Sequence, residues 1–283
     1  MKISKAIFVF VSLTQGVLVM KLKIYSAVIS FLILSFCSNA FPAVFPQLFD
    51  STGRVGNSFI ISVNNFSLPI RNDGGISNFD YGQLNGDMIL FSGGFYIAGK
   101  AGNEIWASIV APSTLEENYL PGAINDSLNL SKDIFVVLKS DPPFSKSWQD
   151  WKNAVKFGAK FYDGDSDGVY NPIDKNSDSA WNFNEDMPYL LGDVTTWCVY
   201  NDGGPHYLGW NVYPVGIEIQ QTAFASNEIF MQNSVFIIYS IINRGLISDS
   251  LYNVYFSIWA DPDIGEYSDD LVGCDSILSS GFT

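Results

Sequence analysis

The apolar residues of this 283-residue chain come in short runs, and this most constrains its fold. The runs are rich in Val, Ile, Phe, Tyr and Trp and are closed off by Gly, Asn, Asp and Pro. β-Branched and aromatic side chains suit a pleated, half-buried surface, and the closing residues are those that turn a chain. The runs predict strands at about Ser58–Val63, Asp87–Phe91, Phe95–Gly99, Ile105–Val110, Ile134–Lys139, Val194–Tyr200, Gly216–Phe224, Val235–Asn243 and Leu251–Trp259. Asp87–Gly99 reads as a hairpin turning at Ser92-Gly93-Gly94, and Val235–Trp259 as another turning through NRGLISDS. A single helix is predicted near Ser147–Val155, with Trp148, Trp151 and Val155 on one face and Ser145 or Ser147 as its cap. The expected class is mainly β: β-sandwich-like units with one short helix and an acidic insert.

The first 40 residues read as a leader rather than as part of that fold. Lys2, Lys5, Lys21 and Lys23 precede two apolar runs, Ala6–Met20 and Ile24–Cys37, and no acidic residue occurs before Asp50. The second run ends in Ser38-Asn39-Ala40, which puts small residues at the −3 and −1 places of a signal-peptidase site. Each run is shorter than the roughly 20 apolar residues of a membrane span. Met20 is a candidate true start, and a long signal anchor or membrane hairpin is the alternative. Cleavage after Ala40 takes the formal net charge from −14 to −18. That charge excludes ordinary nucleic-acid binding, which needs a basic face. Cleavage is expected to leave a chain without a transmembrane span, secreted or held at the outer cell surface. The remaining cysteines, Cys198 and Cys274, suffice for one disulfide or for two free thiols. The expected organisation is a leader (1–40), an N-terminal β region (41–141), a short helix and acidic insert (142–193) and a second β-sandwich-like region (194–283). The last of these reads as truncated, with an open strand edge after Leu278.

The insert carries the chemistry. Asp163 to Asp174 reads DGDSDGVYNPID, with carboxylates at places 1, 3, 5 and 12 and Gly168 at place 6. That spacing winds alternate oxygen ligands around a calcium ion; place 6 needs a left-handed backbone, and place 7, Val169, offers its carbonyl. Eleven residues on, Asp174 to Glu185 reads DKNSDSAWNFNE and repeats the pattern with Asp174, Asn176, Asp178 and Glu185, although Ser179 replaces the glycine. The expected metal ligands are therefore Asp163, Asp165, Asp167, Val169, Asp174, Asn176, Asp178 and Glu185, with Asp186 as a further candidate. The cation is calcium rather than magnesium, because many oxygens suit the larger ion. Asp261, Asp263, Asp269 and Asp270 form a second acidic group at a strand end, a weaker metal candidate whose alternative is a set of turn-capping carboxylates.

The first loop is similar to the dockerin and EF-hand loop, and the overlapping register resembles the acidic repeats of thrombospondin type 3. More widely, the runs WQDWKNAVKFGAKFYDGDSDGVYNP, NEDMPYLLGDVTTWCVYND, VGIEIQQTAFA and IWADPDIGEYSDDLVGCDS resemble the N-terminal part of large secreted bacterial multidomain proteins of the type IX secretion cargo kind. That resemblance spans roughly residues 51–283 and implies export but no activity. No HExxH or P-loop occurs, and the single histidine, His206, sits in a Gly/Pro-rich loop. The expected function is a calcium-binding β-rich module, structural, adhesive or matrix-binding, with a glycan or matrix component as ligand. The alternative is a non-catalytic part of a secreted carbohydrate-active enzyme, which an exposed aromatic platform would favour.

Overall fold

The computed structural model describes residues 5–11, 13–14, 17–19, 54–77, 81–110, 119–203, 214–266, 268–277 and 280–282. The chain begins with β1 (Lys5–Val11), β2 (Leu13–Thr14), β3 (Val17–Val19), β4 (Arg54–Gly56), β5 (Ser58–Ile61), β6 (Phe66–Arg71) and β7 (Gly82–Leu84). Then come β8 (Asp87–Ala101), β9 (Glu104–Ile109), β10 (Leu120–Pro121), β11 (Ile134–Leu138) and the helix α1 (Lys146–Lys156). It continues with β12 (Phe161–Tyr162), β13 (Met187–Pro188), β14 (Val194–Asn201), β15 (Ile217–Ala225) and β16 (Val235–Asn243). The last strands are β17 (Leu251–Pro262), β18 (Gly273–Asp275) and β19 (Ser280–Phe282). The chain is mainly β, as expected, with one helix among the described residues.

Two antiparallel sheets face each other. The larger runs β1-β16-β15-β14-β11-β4, with β10 added to β14. The other runs β17-β8-β7-β6-β5, with β9 added to β8. One core lies between them. Phe95 of β8 stacks on Phe256 at 5.0 Å and meets Tyr239 at 5.3 Å and Tyr200 at 6.4 Å across the sheets. Ile61, Phe66, Leu68 and Ile97 from one sheet and Val194, Ile217, Ile219 and Ile237 from the other complete it. The stretches before and after the insert thus build one sandwich together: β17 lies beside β8, and β4 and β11 lie with β14–β16.

Two predicted hairpins are overturned. Asp87–Ala101 is one unbroken strand, and neither Gly93 nor Gly94 has the positive φ that a tight turn there would use. Gly94 is needed for closeness. A Cβ on Gly94 would strike the Val110 carbonyl, and Gly93 exchanges backbone bonds with Ile76. The second hairpin fails because β16 pairs with β15 while β17 pairs with β8 in the opposite sheet. Each strand buries one apolar face in the same core from opposite sides, so the chain crosses between the sheets at residues 244–250.

The helix covers the outer face of the larger sheet. Trp148, Trp151 and Ala154 are buried there against Phe135, Val137, Trp197 and Val199, a second apolar cluster. Trp151 Nε1 donates to the Lys160 carbonyl at 3.0 Å. Ser145 holds the N-cap position, but its hydroxyl bonds Ser147 rather than a helix amide. Cys198 is buried in β14 and Cys274 exposed in β18, both as free thiols. Burial pushes the Cys198 thiol far up, so it packs as a small apolar group.

Part of the expected leader lies on the sheets. β1 pairs along the β16 edge from Phe236 to Ile242, and β3 joins a small sheet ordered β2-β3-β19-β18. The remaining leader residues, including the cleavage motif at 38–40, lie outside the described residues, as do Leu278 and His206. No helix among the described residues is long and apolar enough to cross a membrane.

Candidate metal centre

The acidic insert is held at both ends. β12 and β13 pair Phe161 with Pro188 and Tyr162 with Met187, so residues 163–186 form a closed excursion. Tyr170 anchors its first half. The ring is buried beside Phe161 at 5.2 Å, and the hydroxyl donates to the Trp148 carbonyl of α1 at 3.1 Å. Gln149 of the same helix donates to the Pro172 carbonyl at 2.8 Å. Trp181 anchors the second half, with its indole N–H on the Glu185 carbonyl at 2.9 Å and its ring 5.5 Å from Tyr162.

The two loops have the same hydrogen-bond pattern, eleven residues apart. Asp163 accepts from the amides of Asp167 and Gly168, and Asp174 accepts from those of Asp178 and Ser179. At place 3, Asp165 accepts from the Asp167 amide and Asn176 from the Asp178 amide. At place 5, Asp167 accepts from the Val169 amide at 2.7 Å and Asp178 from the Ala180 amide at 2.8 Å. The left-handed positions also match: Ser166 and Gly168 have φ of 62° and 76°, Ser177 and Ser179 of 61° and 62°. Ser179 therefore adopts the turn that the glycine makes in the first loop, at the steric cost of a Cβ in that region.

The closing carboxylates depart from the linear pattern. Asp174 stands at place 12 of the first loop by count, but its carboxylate opens the second loop and turns to Ser177, Asp178 and Ser179. Asp186 closes the first loop instead, accepting from the Gly164 amide at 3.0 Å and the Asn171 amide at 2.7 Å. Glu185 closes the second in the same way, through Lys175 at 2.6 Å and Asn182 at 2.8 Å. The adjacent residues Glu185 and Asp186 thus each seal one loop at places 2 and 9. Both are buried, and these amides supply the hydrogen-bond partners that a buried carboxyl group requires.

Asp163, Asp165 and Asp186 bring one carboxylate oxygen each to within 4.8 Å of one another. Amide donors hold each of these carboxylates, so the gathering is built by the backbone and not by chance surface crowding. Lys175 Nζ reaches Asp165 at 2.7 Å and the Asn184 carbonyl at 2.8 Å. That hydrogen bond raises the lysine above its ordinary range and lowers Asp165 below the usual carboxylate range. The second loop is quieter: Asn176 and Asn182 side-chain amides donate to Asp178, which the Ala180 amide also holds below its ordinary value. Three oxygen donors from hard carboxylates fit a hard cation such as calcium. Asp163, Asp165 and Asp186 would hold it, and it would supply charge compensation for the loop.

Among the described residues, Asp261, Asp263, Asp269 and Asp270 form no comparable group. Asp270 accepts from the Ile264 amide at 3.0 Å, and the Asp263 amide bonds the Ile89 carbonyl, as turn residues do. Two further buried carboxylates gave no sequence signal. Asp202 accepts from the amides of Val215, Gly216 and Ile217 at 2.8–3.1 Å, and burial raises it to about 6 against those bonds. Glu218 is buried on β15, where it meets Arg244 and the Ile124 amide.

Comparison with protein families, curated proteins and solved structures finds no match to this chain.

Proposed function

We propose that the chain is an exported, calcium-stabilised β-sandwich module with a structural or adhesive role. The observation that carries this reading is the convergence of Asp163, Asp165 and Asp186 in a loop whose amides hold each carboxylate in place. Without a divalent cation, the nearby like charges disfavour the wound loop. With calcium, the loop closes and Tyr170 stays seated against α1. Binding to the folded state alone stabilises it by about 2.7 kcal/mol when free ion is 100-fold above Kd. The millimolar affinities of extracellular modules would suffice outside a cell.

Titration calorimetry with calcium tests the reading, together with two variants. Asp186→Asn should weaken binding at least tenfold, because it discharges the closing carboxylate of the first loop. Asp174→Asn should leave the first-loop affinity within a few-fold of wild type. No heat and no calcium-dependent melting shift in wild type would remove the proposal.

A second reading has its own observation. On the outer face of β9, β8 and β17, Tyr96, Tyr252 and Tyr255 are exposed, and Trp259 lies 6.5 Å from Tyr96. Small residues separate the rings: Ala98 sits opposite Tyr255, and Ser257 opposite Tyr96. Tyrosine and tryptophan combine apolar faces with polar tips, which suits stacking against sugar rings. This face favours a glycan ligand, as in a non-catalytic part of a carbohydrate-active enzyme. Affinity electrophoresis against a panel of neutral polysaccharides checks it: Tyr255→Ala should abolish any retardation, and an unretarded wild type discards the glycan.

A further inference from the structure

We infer that the β16 edge of the larger sheet is a self-association surface, on which β16 of a second copy pairs antiparallel once residues 1–40 are gone. The inference rests on the reading of those residues as a leader. β1 now sits on this edge, paired continuously from Lys5 opposite Ile242 to Val11 opposite Phe236. The edge therefore has the geometry to accept a seven-residue antiparallel strand. Yet the strand that fills it comes from the segment whose charge pattern marks it for removal. Cleavage would uncover a row of backbone donors and acceptors on β16.

Sheet edges are normally protected by lysine, proline, a bulge or an inward charge. Val235–Asn243 reads VFIIYSIIN and has no charged residue and no proline. Its pairing with β15 is regular over all nine residues, so no bulge turns the edge away. The strand is also complementary to itself. In a two-fold pairing centred on Tyr239, Ile237 meets Ile241 on the core side. On the other face Ile238 meets Ser240 and Phe236 meets Ile242. Apolar side chains meet apolar or small ones at every inner pair, and no like charges oppose, as an isologous interface requires. The occupant is a second copy because this match is built into the strand.

The test exports the full chain and reads the intact mass of the product, which reports leader removal independently of assembly. Light scattering on the same sample should give twice the mature mass. Ser240→Lys places a charge in the middle of the edge, facing away from the core, and should reduce the product to a monomer. Hydrogen exchange supplies a readout without a substitution: β16 amides should gain protection as protein concentration rises. A processed wild-type product that stays monomeric with concentration-independent β16 exchange overturns the inference, as does a dimer that persists in Ser240→Lys. A product that keeps residues 1–40 overturns the leader reading instead, and the edge then stays covered by β1.

Discussion

Single residues set how the acidic loops are built. Gly164 occupies place 2 of the first loop, where a Cβ would overlap the backbone of Glu185. The matching place in the second loop is Lys175, so the demand for glycine comes from packing of the first loop on the closing residues, not from the repeat. Gly164→Ala should cost about 1–3 kcal/mol, as other overpacked sites do, and should weaken calcium binding; chemical denaturation and calorimetry check both. Asp202 offers a pH signature. Burial raises its folded value to about 6 from 3.8, so the folded state holds the proton more tightly than the unfolded chain. Its contribution to stability is full below the unfolded value and is lost as pH rises through about 6. In chelator, the melting-temperature difference between wild type and Asp202→Asn should therefore turn against wild type from pH 4 to pH 7. A flat difference would contradict the assigned burial penalty. These residues differ in legibility. The aspartates at places 1, 3 and 5 stand out in the linear text because the loop is local, whereas Asp186 takes its role only when β12 and β13 close the segment.

At the scale of elements, irregularities aim side chains. β17 carries a bulge between Tyr252 and Tyr255, with Asn253 in the left-handed region at φ 48°. Three residues apart, these tyrosines would face opposite ways in a regular strand. The bulge puts both on the outer face and leaves Val254 packed toward the core. Asn253→Gly should be near neutral, whereas Asn253→Val should destabilise by about 1–2 kcal/mol, since a branched Cβ resists positive φ. Equal melting curves for the two variants would argue against the bulge. The strand runs themselves were legible, and β16 matches its predicted bounds. The long β8 was not, because Ser92-Gly93-Gly94 carries turn residues inside a continuous strand, where Gly94 leaves room for the Val110 carbonyl.

For the whole molecule, the insert and the sandwich are coupled through α1. Tyr170 and Gln149 join the loops to the helix, and the helix buries Trp148 and Trp151 on the larger sheet. Calcium should thus be felt beyond the loop. Saturating calcium should raise the melting temperature of the whole cooperative transition by several degrees, since about 1 kcal/mol moves a domain of 150–250 residues by roughly 2–4 °C. Chelation should also expose residues 163–186 to proteolysis before the strands. If calcium protects the loop but leaves the global transition in place, the loop folds independently of the sandwich.

What the linear chain determined by itself is local. Its short β-branched runs prescribe strands, Trp148 and Trp151 prescribe one helix face, and the spacing of Asp163, Asp165 and Asp167 prescribes a wound acidic loop. Each follows from contacts between residues a few positions apart, where backbone geometry leaves few choices. The tertiary structure decided the pairings. It put β16 and β17 in opposite sheets, drew the stretches on either side of the insert into one core, and made Asp186 rather than Asp174 the closing carboxylate. These outcomes depend on burial of faces distant in sequence, and a strand's own residues specify which face is apolar without specifying the partner that covers it.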